Sequence, residues 1–135
     1  MKKKPYYRKP RTSASKYHNR KTKTGFDSVK EENRYEELLL MEKAGMIFNL
    51  RRQVKFQLTP TVREPDRIGP RGGRKPGKVI LNESSYVADF VYVDAKTGQL
   101  IVEDVKGYRG GEAYKLFTLK KKYFYQKYRI LIQEV

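Results

Sequence analysis

Tyr86–Gly107 reads YVADFVYVDAKTGQLIVEDVKG. Two apolar, β-branched runs flank Asp94–Gly98, a turn signal, and the spacing predicts a pair of adjacent antiparallel strands. Charges interrupt both runs: Asp89 in the first, and Glu103, Asp104 and Lys106 in the second. An unpaired carboxylate buried in a sheet costs several kcal/mol, so such groups pair with a cation or bind a metal. With a four-residue loop over Ala95–Gly98, Asp94 falls opposite Gln99 and Asp89 opposite Asp104. A slip of one residue would instead set Glu103 against Asp89, and the apolar pattern allows both registers. Alternation groups Asp89 with Val87, Val91 and Val93, groups Asp104 and Lys106 with Leu100 and Val102, and turns Glu103 away with Ile101 and Val105. Apolar residues on both faces of the second run mark a central strand covered on both sides.

Upstream, Asp27–Ala44 has helical spacing, with Asp27 or Ser28 as cap and Gly45 as terminator. Tyr35, Leu38 and Leu39 define its apolar face, and Glu31 lies on that face, where it can point at a sheet. Ser28-x-x-Glu31 also fits a capping box, which would give Glu31 a purely structural use. Ile47–Leu58 reads as a strand with Val54, Phe56 and Leu58 on one face and with Arg51, Arg52 and Lys55 solvated. Thr59–Lys78 carries four prolines and four glycines, and is expected to be an irregular loop. Its six bases, Arg71, Arg74 and Lys75 among them, outnumber Glu64 and Asp66, as suits a flexible loop that grips phosphates, with a mobile hairpin tip as the equal alternative. The stretch lacks the GxxxxGK[ST] pattern of a nucleotide-binding P-loop. Val79–Val93 returns to strand. Glu112–Lys127 reads as a second helix with Leu116, Leu119, Tyr123 and Phe124 as its apolar stripe and Lys120, Lys121 and Lys122 as DNA contacts. Tyr128–Val135 reads as a last strand.

The 135 residues fit one domain, at 26–135, behind a basic and flexible arm at 1–25. The net charge is +16. Residues 1–25 hold ten Lys or Arg and no acid, including Lys2, Lys3, Lys4, Arg8, Lys9, Arg20 and Lys21. Such a balance calls for a polyanionic partner, nucleic acid before an anionic membrane. Tyr6, Tyr7 and Tyr17 among those cations could stack on unpaired bases. No run is apolar and long enough to span a membrane, and no apolar leader core follows the basic start. A soluble cytoplasmic protein is expected. The chain has no cysteine and a single histidine, His18. Disulfides, thiolate zinc and cysteine nucleophiles are excluded, and a metal would need oxygen ligands, which favours Mg²⁺ or Mn²⁺.

Asp89, Asp104 and Glu31 suit such a cation, and Lys106 beside them could orient water or stabilise developing charge. Taken alone, D-x-K is a weak pattern that an ordinary ion pair explains as well. Several stretches together are more specific: SKYHNRKT (15–22), FDSVKEENRYEELLLMEKAG (26–45), YVADFVYV (86–93), IVEDVKG (101–107) and YKLFTLKKKYF (114–124). In that order they resemble a small phage- and prophage-associated family of the PD-(D/E)XK nuclease superfamily, related in fold to Holliday-junction resolvases and transposase endonuclease subunits. The resemblance covers most of the chain outside the Pro/Gly-rich loop.

The resemblance implies an α/β fold, a mixed central sheet flanked by helices in a restriction-endonuclease-like αβββαβ core. It implies Mg²⁺- or Mn²⁺-dependent DNA cleavage in a bacterial or phage-infected cell, with a role in DNA recombination. The family's helical acid falls on Glu31, its first strand acid on Asp89 and its (D/E)-x-K on Asp104 and Lys106. Ala88 stands where the family often has proline, and Glu103 beside Asp104 competes for the ligand position. Branched DNA is one candidate substrate, and resolving a junction usually takes two active sites, hence a homodimer. The alternative is a non-catalytic nucleic-acid-binding protein of phage replication, recombination or packaging. That reading explains the basic arm but not carboxylates on the apolar faces of two neighbouring strands.

Overall fold

The computed structural model describes residues 23–135. Helix α1 (Val29–Lys43) begins where the Ser28 side chain accepts the Glu31 N–H at 3.1 Å. It ends in a Schellman turn: Gly45 takes φ 75°, its N–H bonds the Glu42 carbonyl, and the Met46 N–H reaches the Met41 carbonyl. Strand β1 (Ile47–Thr59) follows and pairs antiparallel with the later strand β6 (Ser84–Asp94). The β6 strand turns through Asp94–Gln99 into β7 (Leu100–Asp104), the Asp94 carboxylate accepting the Lys96 and Thr97 N–H groups at 2.8 Å each. Helix α2 (Gly111–Tyr128) then crosses over to the short β8 (Gln133–Glu134), which lies parallel to β7. The sheet order is β1-β6-β7-β8. It is a mixed α/β fold with a central mixed sheet and two helices.

Each face of the sheet carries a separate core. Leu38, with the half-buried Tyr35 and Met41, packs from α1 onto Ile47, Phe90 and Tyr92. Phe117 and Phe124, with Tyr114 and Tyr128, pack from α2 onto Leu58, Tyr86, Ala88, Val91 and Val102. Burying a large side chain of this kind contributes roughly 1.5–3 kcal/mol, so these rings and aliphatics fix both helices to the sheet. On α2 the buried stripe differs from the expected one. Phe124 is buried as expected, but Leu116, Leu119 and Tyr123 are exposed, and Phe117 takes their place. The stripe runs 117, 121, 124, 128, and its second member is Lys121, whose ammonium is paired with Glu134 at 2.8 Å. A paired lysine interrupts the apolar pattern without leaving the buried face.

Of the two readings of Thr59–Lys78, the structure takes the hairpin and not the irregular loop. The segment belongs to a nested hairpin of β2 (Val62–Arg63), β3 (Arg67–Ile68), β4 (Arg74–Lys75) and β5 (Val79–Leu81), with β2 on β5 and β3 on β4. Its glycines serve the turns and one close approach. A Cβ on Gly77 would lie 1.7 Å from the Glu64 carbonyl oxygen, so only glycine fits there. The Asp66 carboxylate holds the tip, accepting from Arg74 Nε at 2.5 Å and from the Gly77 N–H at 3.1 Å. The last strand is also shorter than expected, because α2 runs on to Tyr128 and pairing with β7 is confined to Gln133 and Glu134. The side chain of Arg52 is not simply solvated: its guanidinium stacks 3.7 Å from the Phe26 ring centroid and 4.9 Å from that of Tyr35.

A candidate active site at the parting of two strands

The β6–β7 register is the one a four-residue loop sets: Phe90 faces Glu103 and Val93 faces Leu100. One step further would bring Asp89 against Asp104, but the ladder stops at Phe90 and Glu103. There the Asp89 carboxylate takes the place of a backbone partner and accepts the Val105 N–H at 2.8 Å. The pleat turns over at the same point. Tyr86 and Ala88 pack in the α2 core, whereas Phe90 and Tyr92 pack in the α1 core and Val91 in the α2 core. Strict alternation therefore fails at Asp89, and its expected grouping with Val87, Val91 and Val93 does not hold across the site. The β7 strand meanwhile keeps its pairing on the other side, with Asp104 opposite Glu134 of β8. Two strands that part while each stays anchored leave a notch between them.

Glu31, Asp89, Asp104 and Lys106 all line that notch, an open cavity of about 520 Å³ also lined by Asp27, the cap residue Ser28 and Lys30 at the start of α1. Glu31 is buried despite its charge. Its backbone N–H serves the Ser28 cap, and its Oε1 accepts from Gln53 Nε2 at 3.2 Å. The same Gln53 nitrogen lies 3.2 Å from Asp89 Oδ1. Capping and a place in the site are thus compatible uses of one glutamate, since the first employs its backbone and the second its carboxylate. Asp104 is buried; its Oδ1 is 2.6 Å from Lys106 Nζ and its Oδ2 accepts from the Tyr86 hydroxyl at 2.8 Å. Lys106 Nζ also lies 3.6 Å over the Phe117 ring. Lys30 Nζ closes one rim through the Lys106 and Val135 carbonyls at 2.7 and 2.9 Å.

Glu103 points to the opposite face, as alternation requires. Arg34 grips it through two hydrogen bonds and the Tyr92 hydroxyl through a third. It is fully committed there and does not compete with Asp104 for the cavity.

Burial, and then the neighbouring Asp104 and Glu31 carboxylates, push the Asp89 carboxyl up to about 6, against the Val105 N–H and Gln53, which pull it down. Its ordinary value is 3.8, so the folded chain binds this proton more tightly than the unfolded chain does. Stability linked to Asp89 is therefore greatest below pH ~4 and falls as the pH rises toward ~6. In EDTA, Asp89→Asn is expected to melt a few degrees above wild type at pH 7, with the gap closing as the pH falls through that window. A gap that stays constant from pH 4 to 7 would show that Asp89 carries no strained charge.

Oxygen donors of this kind suit a hard divalent cation, and a carboxylate raised by burial and then by two neighbouring carboxylates is one that a cation would relieve. As placed, Gln53 donates to both Glu31 and Asp89 and Lys106 pairs with Asp104, and among the described residues no three Asp, Glu or His side chains are drawn tightly enough around one point to hold a metal ion. The donor chemistry fits; the spacing is that of a metal-free cluster whose charges are met by neighbouring donors.

The expected DNA contacts divide. Arg71, Arg74 and Lys75 line a concavity at the tip of the hairpin, although Arg74 is also tied to Asp66. Lys122 is exposed and Lys120 half-buried, whereas Lys121 is spent on Glu134 and is not a free phosphate contact. Lys2, Lys3, Lys4, Arg8, Lys9, Arg20 and Lys21 lie outside the described residues. Among the described residues no helix is long and apolar enough to cross a membrane. Gln53 is the member of the cluster that the sequence does not single out, because nothing in its residue type or in the strand pattern marks it.

A family model described as "Protein of unknown function (DUF1064)" matches residues 14–134. Neither the curated proteins nor the solved structures contain a match.

Proposed function

We propose that this chain, which belongs to the DUF1064 family of proteins of unknown function, is a divalent-metal-dependent DNA endonuclease with a restriction-endonuclease-like core. The observation that carries this reading is the convergence of Glu31, Asp89, Asp104 and Lys106, from one helix and two strands, on a single cavity where the β6–β7 ladder ends. The order of the main elements, α1, β1, β6, β7, α2, β8, agrees with the αβββαβ order of the PD-(D/E)XK nucleases. Glu31, Asp89 and Asp104 would hold Mg²⁺ or Mn²⁺, and the cation, when bound, supplies charge neutralisation at the phosphoryl oxygens. Lys106, packed on Phe117 and aimed by Asp104, is placed to donate to the attacking water or to a phosphoryl oxygen. The Val105 N–H keeps the Asp89 carboxylate turned into the notch.

Cleavage of labelled four-way-junction, flap and linear duplex DNA in Mg²⁺, Mn²⁺ or EDTA tests the reading. Cutting that EDTA abolishes supports it, and preference for the junction would add the resolvase-like role and its homodimer. Tight binding without cutting on every substrate would favour the second reading, a non-catalytic nucleic-acid-binding protein. That alternative draws on the Asp104–Lys106 ion pair and the Gln53 bridge, which already satisfy the carboxylates without a metal.

The hairpin is the proposed route to the phosphates. The combined change Arg71→Ala, Arg74→Ala and Lys75→Ala is expected to reduce the slope of log affinity against log salt by about 2 to 3, at ~0.9 for each phosphate that is no longer neutralised. A slope equal to wild type would remove the hairpin from the DNA-binding surface.

A further inference from the structure

Gln53 bridges Glu31 and Asp89, and its geometry is unusual. It sits in the middle of β1 with φ 50°, in the left-handed region that residues other than glycine rarely adopt. Asn49 in the same strand has φ 57°, but asparagine tolerates that region and lies where the register shifts between Phe48 and Arg51. Across Gln53 the register does not shift, Arg52 opposite Phe90 and Val54 opposite Ala88, so Gln53 lies at the level of Asp89 although the two are not ladder partners. A costly backbone conformation persists where the surrounding structure holds it, often at a functional site. Here it delivers one amide nitrogen to 3.2 Å from both Glu31 Oε1 and Asp89 Oδ1. The two carboxylates belong to different elements and repel each other, so the amide donates where two like charges would otherwise meet unscreened.

We propose that Gln53 is a positioning residue that occupies the cation's place between Glu31 and Asp89 in the metal-free chain. It holds the two carboxylates in register without charge, and it must release them when a divalent cation binds. The inference rests on the metal-site reading above and adds to it a built-in competitor that sets how tightly the cation is held.

Gln53→Met removes the amide at similar size, and Gln53→Glu replaces it with a third negative charge. At pH 8 in EDTA both variants are expected to melt below wild type, Gln53→Glu by about 5 °C or more. On adding Mn²⁺ both are expected to gain more than wild type gains, and calorimetric titration is expected to give Gln53→Glu about tenfold tighter Mn²⁺ binding, as fits exchanging a competing donor for a carboxylate ligand. A merely structural glutamine would lower the melting temperature and leave the Mn²⁺-induced rise unchanged, which would overturn the proposal. Variants that melt with wild type in EDTA would overturn it as well, while leaving the metal site standing if wild type binds Mn²⁺. Absence of Mn²⁺ binding in wild type and both variants would overturn the metal-site reading and this inference together.

Discussion

Asp89→Asn is expected to lose cleavage by roughly 10³-fold or more, with DNA affinity changed less than about threefold. The size follows from what the carboxylate does in the proposed site. It is one of three anionic ligands, and an amide oxygen is a much poorer partner for a hard cation. Affinity is spared because, in the proposed reading, DNA would be held through its phosphates by the basic surfaces, to which a half-buried acid contributes only repulsion. The substitution keeps an acceptor for the Val105 N–H, so the notch itself survives. It also removes a charge that burial and two neighbouring carboxylates disfavour. The same variant should therefore be inactive and, without metal, more stable than wild type at neutral pH. A carboxylate kept for structure gives the opposite pair, normal cleavage with lost stability. Asp104→Ala should match the loss of cleavage but not the gain in stability, since it strands Lys106 and the Tyr86 hydroxyl. Unchanged cleavage in both variants would end the site assignment.

The site is legible in the sequence because its chemistry conflicts with its surroundings. Asp89, Asp104 and Lys106 stand out against apolar strands, but the pattern leaves two registers open, and it is the structure that selects the one with Phe90 opposite Glu103. Glu31 is legible as a helical acid on an apolar face, though its spacing serves a cap equally well, and the structure shows the Ser28 cap together with the placement in the cavity. Other features are hidden for physical reasons. The overturned pleat at Asp89 depends on a side chain substituting for a ladder hydrogen bond, which no alternation pattern encodes. Gln53 is positioned by a backbone conformation rather than by its residue type. In the hairpin, proline and glycine suggest irregular chain, yet two-residue strands need only local pairing and one carboxylate, Asp66, to pin the tip. On α2 the exposed Leu116 and Leu119 read as core because Lys121, which sits in the buried stripe, carries a charge that only its distant partner Glu134 explains.

Behind the site, Arg34→Ala is expected to cost about 3–5 kcal/mol of folding stability, the typical loss when a buried ion pair forfeits one partner. The Glu103 side chain is 1% exposed, with Arg34 Nε at 2.9 Å from one carboxylate oxygen and Nη2 at 2.6 Å from the other. Without the guanidinium only the Tyr92 hydroxyl, at 2.5 Å, remains to meet the charge. Two further numbers separate the worth of the pair from the cost of breaking it. Arg34→Met with Glu103→Leu should recover most of the loss, because well-packed apolar groups often replace a buried pair at little cost. Single Glu103→Gln should fall between, since it keeps the shape and loses the charge that Arg34 was placed to meet. Urea denaturation at pH 7 gives all three values, and a loss below about 1 kcal/mol in Arg34→Ala would mean that Glu103 is reached by water or neutralised in another way. The double variant also bears on function. Phe90 and Glu103 form the last rung before the strands part, and Asp104 is the next residue. If the ion pair serves only stability, the double variant should cut DNA as well as wild type once folded. If it also fixes the angle at which β7 presents Asp104, the double variant should be stable yet slower, with the loss in turnover rather than in DNA affinity. The bidentate grip of Arg34 favours the second outcome, because a planar fork on a buried carboxylate restricts rotation of the strand where a pair of aliphatic side chains does not.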